Sequence, residues 1–273
     1  FSVFNNDAVK DVTLYKGDIP AAYGGRLSSL LDVRMKDGNA KKLGFTGSIG
    51  TVSSKLTIEG PVIKDRTTFL VSGRRTYADL FLPFAKDEDV RDNKLYFYDL
   101  NLKLSHVINE NNRLYLSGYA GRDIFENQFA SMGFGNRTAS FRWNHLFSKK
   151  LFFNLSLIYS NYNYELGTPE GDANSFKWTS RMRDYSARFD FTSYLSGKHT
   201  LRYGATSMYH EFFPGTAYGL GSESAFNEFI LPKQHALEHS LYASDEFKTS
   251  QKLTLKYGLR LALFQNIGPG TYY

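Results

Sequence analysis

The segment YFYDLNLKLS, residues 96–105, alternates between two kinds of side chain. One set is apolar, and apart from Phe97 the interleaved set is polar: Tyr96, Tyr98, Leu100, Leu102 and Leu104 against Asp99, Asn101, Lys103 and Ser105. Successive side chains of a β-strand point to opposite faces, so this segment predicts a strand with one apolar and one polar face.

The same alternation recurs along the chain. It is clear in residues 153–160, 185–192 and 253–263, and we expect about eleven such strands between Gly44 and Phe264. Segments of about ten residues with this period are typical of transmembrane β-barrels, whose strands turn one face to lipid and the other to the lumen. We therefore predict an all-β, antiparallel, up-and-down transmembrane barrel.

The connections between the predicted strands differ in length. Short polar connections occur at residues 63–66, 109–112, 148–150, 196–198 and 248–251, and long ones at about 83–93, 126–136, 165–179 and 211–234. Short and long connections alternate. Outer-membrane barrels keep short turns on the periplasmic side and long loops outside, so this pattern predicts a bacterial outer-membrane barrel whose periplasmic end carries Lys64, Asn111 and Lys149.

Aromatic residues are abundant, with 23 Phe, 19 Tyr and 2 Trp. Several cluster near predicted strand ends, which is typical of the aromatic girdles at the two membrane interfaces. Tyr and Phe also favour strands for their own sake, and that simpler interpretation stays open. The clustered residues are Phe81, Phe84, Phe147, Phe152, Phe153, Phe212 and Phe213.

Several classes of protein are disfavoured by composition. The chain has no Cys, which excludes a disulfide-stapled domain and a thiolate metal site. The net charge of +6 is dispersed, so we expect no nucleic-acid partner. No apolar run approaches the length of about 18 residues that a transmembrane helix needs, and Phe1 opens on polar residues with no visible signal peptide.

The first 40 residues have a different pattern. A short strand at residues 9–17 closes on Gly17, the Gly24-Gly25 pair allows a turn, and a second short strand covers residues 31–35. Asp37-Gly38-Asn39 forms a turn or hinge. We therefore divide the chain into residues 1–40 and residues 41–273, with the barrel in the second part.

The segment DVTLYKGDIPAAYGGRLSSLLDVRMKDGN, residues 11–39, resembles the end of the plug domain of TonB-dependent outer-membrane receptors, particularly those of Bacteroidetes. Residues 54–79 and 241–261 resemble early barrel strands of the same family, with looser motifs. The positions that carry the plug–barrel motif are Tyr15, Gly17, Pro20, Tyr23, Gly24, Gly25 and Arg26.

This resemblance implies a barrel of 22 strands closed by a plug, of which residues 1–40 are the C-terminal end and residues 41–273 about the first half of the barrel. It implies uptake of a siderophore, haem, cobalamin, glycan or peptide with energy from TonB and its partners ExbB and ExbD. It also implies contact with outer-membrane lipid and with a surface lipoprotein partner. We expect most of the plug, the TonB box and the second half of the barrel to lie outside these residues.

One motif suggests catalysis. His235-Ala236-Leu237-Glu238-His239 matches the inverted zinc-protease signature, which requires a helix. Here the motif runs into a predicted strand, where four residues span about 13 Å at about 3.3 Å each. One zinc ion could not bind both His side chains. We expect loop and strand-end polar residues, although a surface His pair that touches a metal-chelate ligand stays open, and we assign no catalytic, cofactor or metal-binding residue.

Two further sets are candidates for contacts. We expect one of Arg74 and Arg75 to face the lumen and meet plug carboxylates, and the other to lie near the outer end, where a long side chain can reach water. Aromatic residues of the long loops could clamp a ligand or could pack the loops. These candidates for outer-loop ligand contacts are Phe129, Phe134, Trp178, Phe212, Phe213 and Tyr218.

Four functions remain open from the sequence. The resemblance favours a receptor and transporter that is not an enzyme. The alternatives are a structural or secretion-associated outer-membrane barrel, a barrel-embedded enzyme, for which no Ser/His or Asp/His spacing is evident, and a soluble all-β binding protein.

Overall fold

The structure is a computed structural model, and it describes residues 5–17, 19–25, 28–170, 173–222 and 224–268. These residues form a two-stranded sheet and a large antiparallel sheet of twelve strands. Helical residues in this part of the chain are confined to two 3₁₀ turns, Ala78–Leu80 and Leu82–Phe84, and one α-helical turn, α1, Glu88–Arg91. None of these described helices is long and apolar enough to cross a membrane.

The strands follow one another along the chain. They are β1 (Val9–Tyr15), β2 (Leu30–Met35), β3 (Gly44–Ile49), β4 (Ser53–Ile63), β5 (Thr67–Thr76), β6 (Lys94–Asn109), β7 (Asn112–Glu126), β8 (Ser131–Ser148), β9 (Leu151–Gly167), β10 (Phe176–Tyr194), β11 (His199–Gly219), β12 (Phe229–Ile230), β13 (Gln234–Lys248) and β14 (Thr254–Gly268).

The large sheet is a meander. Its main path runs β14-β13-β11-β10-β9-β8-β7-β6-β5-β4-β3, so each strand pairs with its neighbour in sequence, and β12 pairs separately with β11. The predicted all-β, up-and-down architecture is confirmed, and the main path contains the expected eleven strands. β12 was missed because two residues are too few to show an alternating pattern.

The predicted short turns are present, but three predicted long loops are shorter than expected. The β7–β8 connection is only residues 127–130, the β9–β10 connection is residues 168–175, and the β11–β13 connection is residues 220–233 with β12 inside it. The β3–β4 connection is also short, residues 50–52. Polar and Gly-rich residues near the strand ends indicated loops, whereas hydrogen bonding to neighbouring strands extends the sheet through them.

The N-terminal segment distinguishes the two faces of the sheet. It contacts one face, for example through Asn5, whose Nδ2 donates to Ser72 Oγ over 2.8 Å. We call this the inner face and the opposite one the outer face. Alternation along each strand of the main path and the cross-strand register then assign its residues to one of them.

The two faces reverse the burial pattern of a water-soluble sheet. On β6 the inner-face residues Asp99 and Asn101 are 5% and 8% exposed, while the outer-face residues Leu100 and Leu102 are 42% and 43% exposed. The outer face therefore exposes apolar side chains, and the inner face covers polar ones. This is the arrangement that lipid outside and protein inside would stabilise.

Aromatic side chains form two rows on the outer face. The lower aromatic row, which is the one nearer the short turns, joins Phe153, Phe191 and Tyr203, with ring centroids 4.8 and 5.2 Å apart. The upper tyrosine row joins Tyr159, Tyr185 and Tyr209, at 5.3 and 6.3 Å. Six residues separate the rows on each strand, or about 20 Å along it. Of the predicted girdle residues, Phe153 belongs to the lower row and Phe147 lies 6.0 Å from it.

Candidate functional site: the N-terminal segment on the inner face

The described residues between positions 5 and 43 cross the inner face, and three groups of their contacts define the site. β1 and β2 form an antiparallel hairpin in which Tyr15 pairs with Leu30. Gly17 and Gly25 have φ of 99° and 69°, in the left-handed region that favours glycine. The ring of Tyr15 lies 6.4 Å from that of Tyr23, which ties the hairpin to the turn that follows it.

The first contact is buried on β4 and β5. Asn5 bonds to Ser72, and the hydroxyls of Ser72 and Thr57 lie 2.6 Å apart. Lys55 Nζ forms a 2.9 Å salt bridge with Asp7. Asn5, Ser72 and Thr57 are buried, so their hydrogen bonds replace the water that these polar groups would otherwise need.

The second contact holds the end of β2. Lys103 Nζ forms a 2.7 Å ion pair with Asp37 and donates to the carbonyl oxygen of Met35 over 2.9 Å. Ser105 Oγ donates to the same carboxylate over 3.3 Å. Gly38 follows directly, and a Cβ there would overlap the backbone carbonyl of Phe69. The predicted hinge is therefore clamped on one side by charge and on the other by backbone contact.

The third contact receives the turn at residues 20–25. Arg188 lies over the ring of Tyr23, 4.9 Å from its centroid, and its Nε bonds to both carboxylate oxygens of Asp190 over 2.9 and 2.7 Å. Tyr242 donates its hydroxyl proton to Asp190. The carboxylate thus orients the guanidinium beneath the ring, where a cation–π contact is favourable.

Arg260 completes the third contact from β14. Its Nη1 donates to the carbonyl oxygens of Ala21 and Ala22 over 3.3 and 3.2 Å, and its Nη2 donates to Ser240 over 2.6 Å. Gly24 leaves room for this guanidinium, because a Cβ there would overlap Arg260 Nε.

Most of the sequence motif maps onto this site. Tyr23 donates its backbone N–H to Pro20 over 2.9 Å, closing the turn. Tyr15, Gly17, Gly24 and Gly25 occupy the hairpin and the turn described above, and Arg26 lies outside the described residues. The partners on the barrel side, Arg188, Asp190, Tyr242 and Arg260, were not predicted. Three of them stand in alternating segments noted in the sequence, but alternation does not indicate which polar residue meets which partner.

Arg74 and Arg75 divide between the two faces, as expected. Arg74 lies on the inner face, where its Nε bonds to Asp99 over 2.6 Å and its guanidinium lies over Phe97. This carboxylate belongs to β6 and not to the N-terminal segment. Arg75 lies on the outer face with Asp79, 3.3 Å away.

The candidate aromatic residues do not form one loop cluster. Phe129 lies in a connection and is 74% exposed, but the placement of the other five in loops is wrong, because strands β8, β10 and β11 extend through them. They also divide between the faces: the inner face carries Phe134, Trp178 and Phe212, and the outer face carries Phe213 and Tyr218.

The H-x-x-E-H motif lies on β13, as the strand interpretation predicts. His235 and His239 are on the outer face and Glu238 is on the inner face. His235 Nδ1 lies 2.7 Å from the Tyr209 hydroxyl, whereas Glu238 lies 3.8 Å from His210 Nε2. Among the described residues, no group of three His, Cys, Asp or Glu side chains could hold a metal ion.

Solved structures share this fold. The chain is similar to the copper transporter OprC, with a TM-score of 0.73, 12% identity and coverage of 93% of this chain and 42% of that one. It is similar to the pyoverdine outer membrane receptor FpvA from Pseudomonas aeruginosa PAO1, with a TM-score of 0.71, 15% identity and coverage of 97% and 47%. The chain has the fold of an outer-membrane receptor barrel.

A third similar structure is BauA, the ferric preacinetobactin receptor from Acinetobacter baumannii, with a TM-score of 0.67, 15% identity and coverage of 94% and 48%. The chain thus spans less than half the length of each of these proteins. No family model matches the sequence. No curated protein matches it either. The likeness is one of fold, and it agrees with the fold that the sequence resemblance implies.

Proposed function

We propose that this chain is part of a TonB-dependent receptor of a bacterial outer membrane, in which residues 1–40 end the plug and residues 41–273 form about half of the barrel. The observation that carries the proposal is the three-point attachment of the N-terminal segment to a polar inner face, opposite an exposed apolar outer face. In a soluble binding protein this arrangement would expose a large apolar surface to water, which is unfavourable.

The chemistry of the attachment suits a plug that must move. Its contacts are hydrogen bonds, ion pairs and a cation–π contact, at Ser72, Lys103, Arg188 and Arg260. A polar contact can be exchanged for water at small net cost, since a typical hydrogen bond contributes about 0.5–1.5 kcal/mol net. An extensive apolar interface would resist such exchange.

The proposed activity is uptake of a scarce nutrient with energy supplied by TonB. The neighbours named above are a copper transporter and receptors for pyoverdine and ferric preacinetobactin. By analogy of fold, a metal or metal chelate joins haem, cobalamin, glycans and peptides as a candidate cargo. TonB, outer-membrane lipid and a surface lipoprotein are the proposed partners, and we propose no enzymatic activity.

The test uses the full-length protein in its host. A deletion strain is compared with wild type for uptake of labelled siderophores, haem, cobalamin, oligosaccharides and peptides, with and without TonB. Loss of uptake of one class in both the deletion and the TonB-deficient strain supports the proposal. If the protein is inserted in the membrane but its deletion has the same effect with and without TonB, a structural or secretion-associated barrel is favoured instead. If the full-length protein is fully soluble, both interpretations are wrong.

A further inference from the structure

The outer face changes character just beyond the upper tyrosine row. In the next row of cross-strand neighbours, Arg137, Asn161, Arg183 and Glu211 lie directly opposite one another on β8 to β11. Toward the short turns, the same strands carry apolar outer-face residues such as Leu157 and Phe189. Charged side chains thus begin where the exposed apolar band ends.

Arg137 and Asn161 of this row also line a pocket on the outer face with a volume of about 430 Å³. Its lining includes four cationic side chains and one carboxylate, Glu165; the cations are Arg122, Arg137, Arg181 and Lys233. We call this the cationic pocket. It lies on the face opposite the N-terminal segment, so it is reached from the surroundings of the barrel and not from the lumen.

The single carboxylate is already paired. Arg122 Nη2 and Lys177 Nζ both bond to Glu165 Oε2, over 2.9 and 3.0 Å. Arg137, Arg181 and Lys233 have no ion pair among the described residues. The cationic pocket therefore keeps an excess of positive charge after its internal pairing is counted.

One aromatic ring organises these cations. Phe213 has Arg181 4.3 Å, Lys233 4.9 Å and Arg183 5.6 Å from its centroid. The buried Nε atoms of Arg181 and Arg183 have no hydrogen-bond partner within the described part of the chain. Phe213 thus holds two cations that lack an ion pair within the described residues, Arg181 and Lys233, side by side in the lining of the cationic pocket.

An apolar groove lies directly beneath. It has a volume of about 520 Å³, and the upper tyrosine row lies along its border with the row of Arg137, Asn161, Arg183 and Glu211. Its outer-face lining is aliphatic and aromatic apart from Ser207, namely Leu116, Ala139, Phe141, Leu157 and Ala187 together with Tyr159, Tyr185 and Tyr209. The outer face thus presents a cationic pocket above an apolar groove whose lining suits a hydrocarbon chain.

We propose that this surface binds a phosphorylated membrane lipid, with a phosphate in the cationic pocket and an acyl chain in the apolar groove. Guanidinium groups present planar forks of N–H donors that match phosphate oxygens, and a phosphate can accept from several cations at once. The tyrosine rings, with apolar bodies and polar hydroxyls, suit the boundary between chain and headgroup. The inference rests on membrane insertion of the outer face and not on transport.

The test measures lipid binding by the purified full-length protein in a neutral detergent, using native mass spectrometry. The probes are lipid A with two phosphates, the same lipid with its phosphates removed, and inorganic phosphate alone. The triple variant Arg137→Gln/Arg181→Gln/Lys233→Gln is expected to bind the phosphorylated lipid at least about tenfold more weakly, because each charge-assisted hydrogen bond lost is worth about a factor of ten.

The matched control removes three cations at the opposite end, Lys149→Gln/Lys150→Gln/Lys198→Gln, and should bind as wild type. Equal loss in the control, or wild-type binding by the triple variant, would overturn the proposal. If inorganic phosphate binds as tightly as the lipid, the pocket is a general anion site and the lipid proposal is wrong. If the protein forms a stable dimer that excludes lipid, this face binds a second copy of the chain and the proposal is likewise wrong. If the triple variant fails to insert, the single variant Lys233→Gln is measured instead.

Discussion

Arg188 lies over the ring of Tyr23, with its guanidinium carbon 4.9 Å from the ring centroid, and joins the barrel wall to the N-terminal segment. Asp190 fixes the guanidinium from below, and Tyr242 donates to the same carboxylate. The contact is therefore a cation–π pair whose cation is held in place by its own counter-ion. It links residues 165 positions apart in the chain, and no local sequence pattern indicates such a pairing.

Replacing Arg188 with Gln should loosen the turn at residues 20–25 without unfolding the sheet. A cation–π contact contributes about 0.5–2 kcal/mol, so we expect amide hydrogen exchange in this turn of the full-length protein to accelerate by about two- to thirtyfold. Arg202→Gln is the matched control, because Arg202 pairs with Glu246 near the short-turn end and contacts no described part of the segment. Unchanged exchange in Arg188→Gln would show that Arg260 alone holds the turn.

The sheet was largely predictable because its signal is local. The alternation at residues 96–105 assigns Leu100 to one face and Asp99 to the other, and the structure confirms both placements. The ends of the strands were not predictable, because there the outer face carries Arg137 and Arg183 instead of apolar residues. There the inner face carries apolar residues such as Phe134, Trp178 and Phe212, so apolar residues no longer mark one face along the whole strand, although backbone pairing continues.

The site itself was only half predictable. Tyr23 and Gly24 were identified through a resemblance, but their partners Arg188 and Arg260 depend on strand register and on how the segment crosses the sheet. Such contacts between residues distant in sequence follow from topology. A single sequence does not specify them, and Phe213 was likewise singled out while its cationic partners were missed.

Gly38 should not tolerate a side chain. A Cβ at this position would overlap the backbone carbonyl of Phe69, which cannot move without disturbing the β4–β5–β6 pairing. Overpacking of this kind costs about 1–3 kcal/mol, so Gly38→Ala should reduce the fraction of folded protein, seen as loss of the heat-modifiable band on a gel. Gly197→Ala is the control, because nothing lies within 4 Å of a Cβ there. Equal folding of the two variants would contradict the predicted contact.

Leu157 offers a test of which face meets lipid. It lies on the outer face between the two aromatic rows and is exposed. Leu157→Arg should therefore destabilise membrane insertion, by about 2–4 kcal/mol if the residue lies at the midplane of the bilayer. Refolding yield of the full-length protein into phospholipid vesicles measures this effect.

The matched control is Ser160→Arg, three residues further along the same strand. Ser160 lies on the inner face directly opposite Asp184, which offers the new cation a counter-ion. We expect its refolding yield to stay close to that of wild type. The reverse order of the two yields would mean that the faces are assigned the wrong way round.

The ionisation of Glu165 should make the stability of the upper end of the sheet depend on pH. Burial favours the neutral form of this carboxyl, but hydrogen bonds from Lys177 and Arg122 outweigh it and hold the pKa of Glu165 below its ordinary value. Because the folded-state pKa lies below the unfolded one, the stabilisation is complete above the ordinary glutamate pKa of about 4.3 and is lost as the pH falls through the lower, folded value.

Hydrogen exchange of the strand ends at residues 163–167 and 177–179 should therefore be insensitive to this group at neutral pH and should accelerate, beyond the intrinsic pH dependence, below about pH 4. Glu165→Gln, which cannot ionise, should show fast exchange already at neutral pH and no such acid step, whereas an identical acid step in the variant would assign the response to another carboxylate.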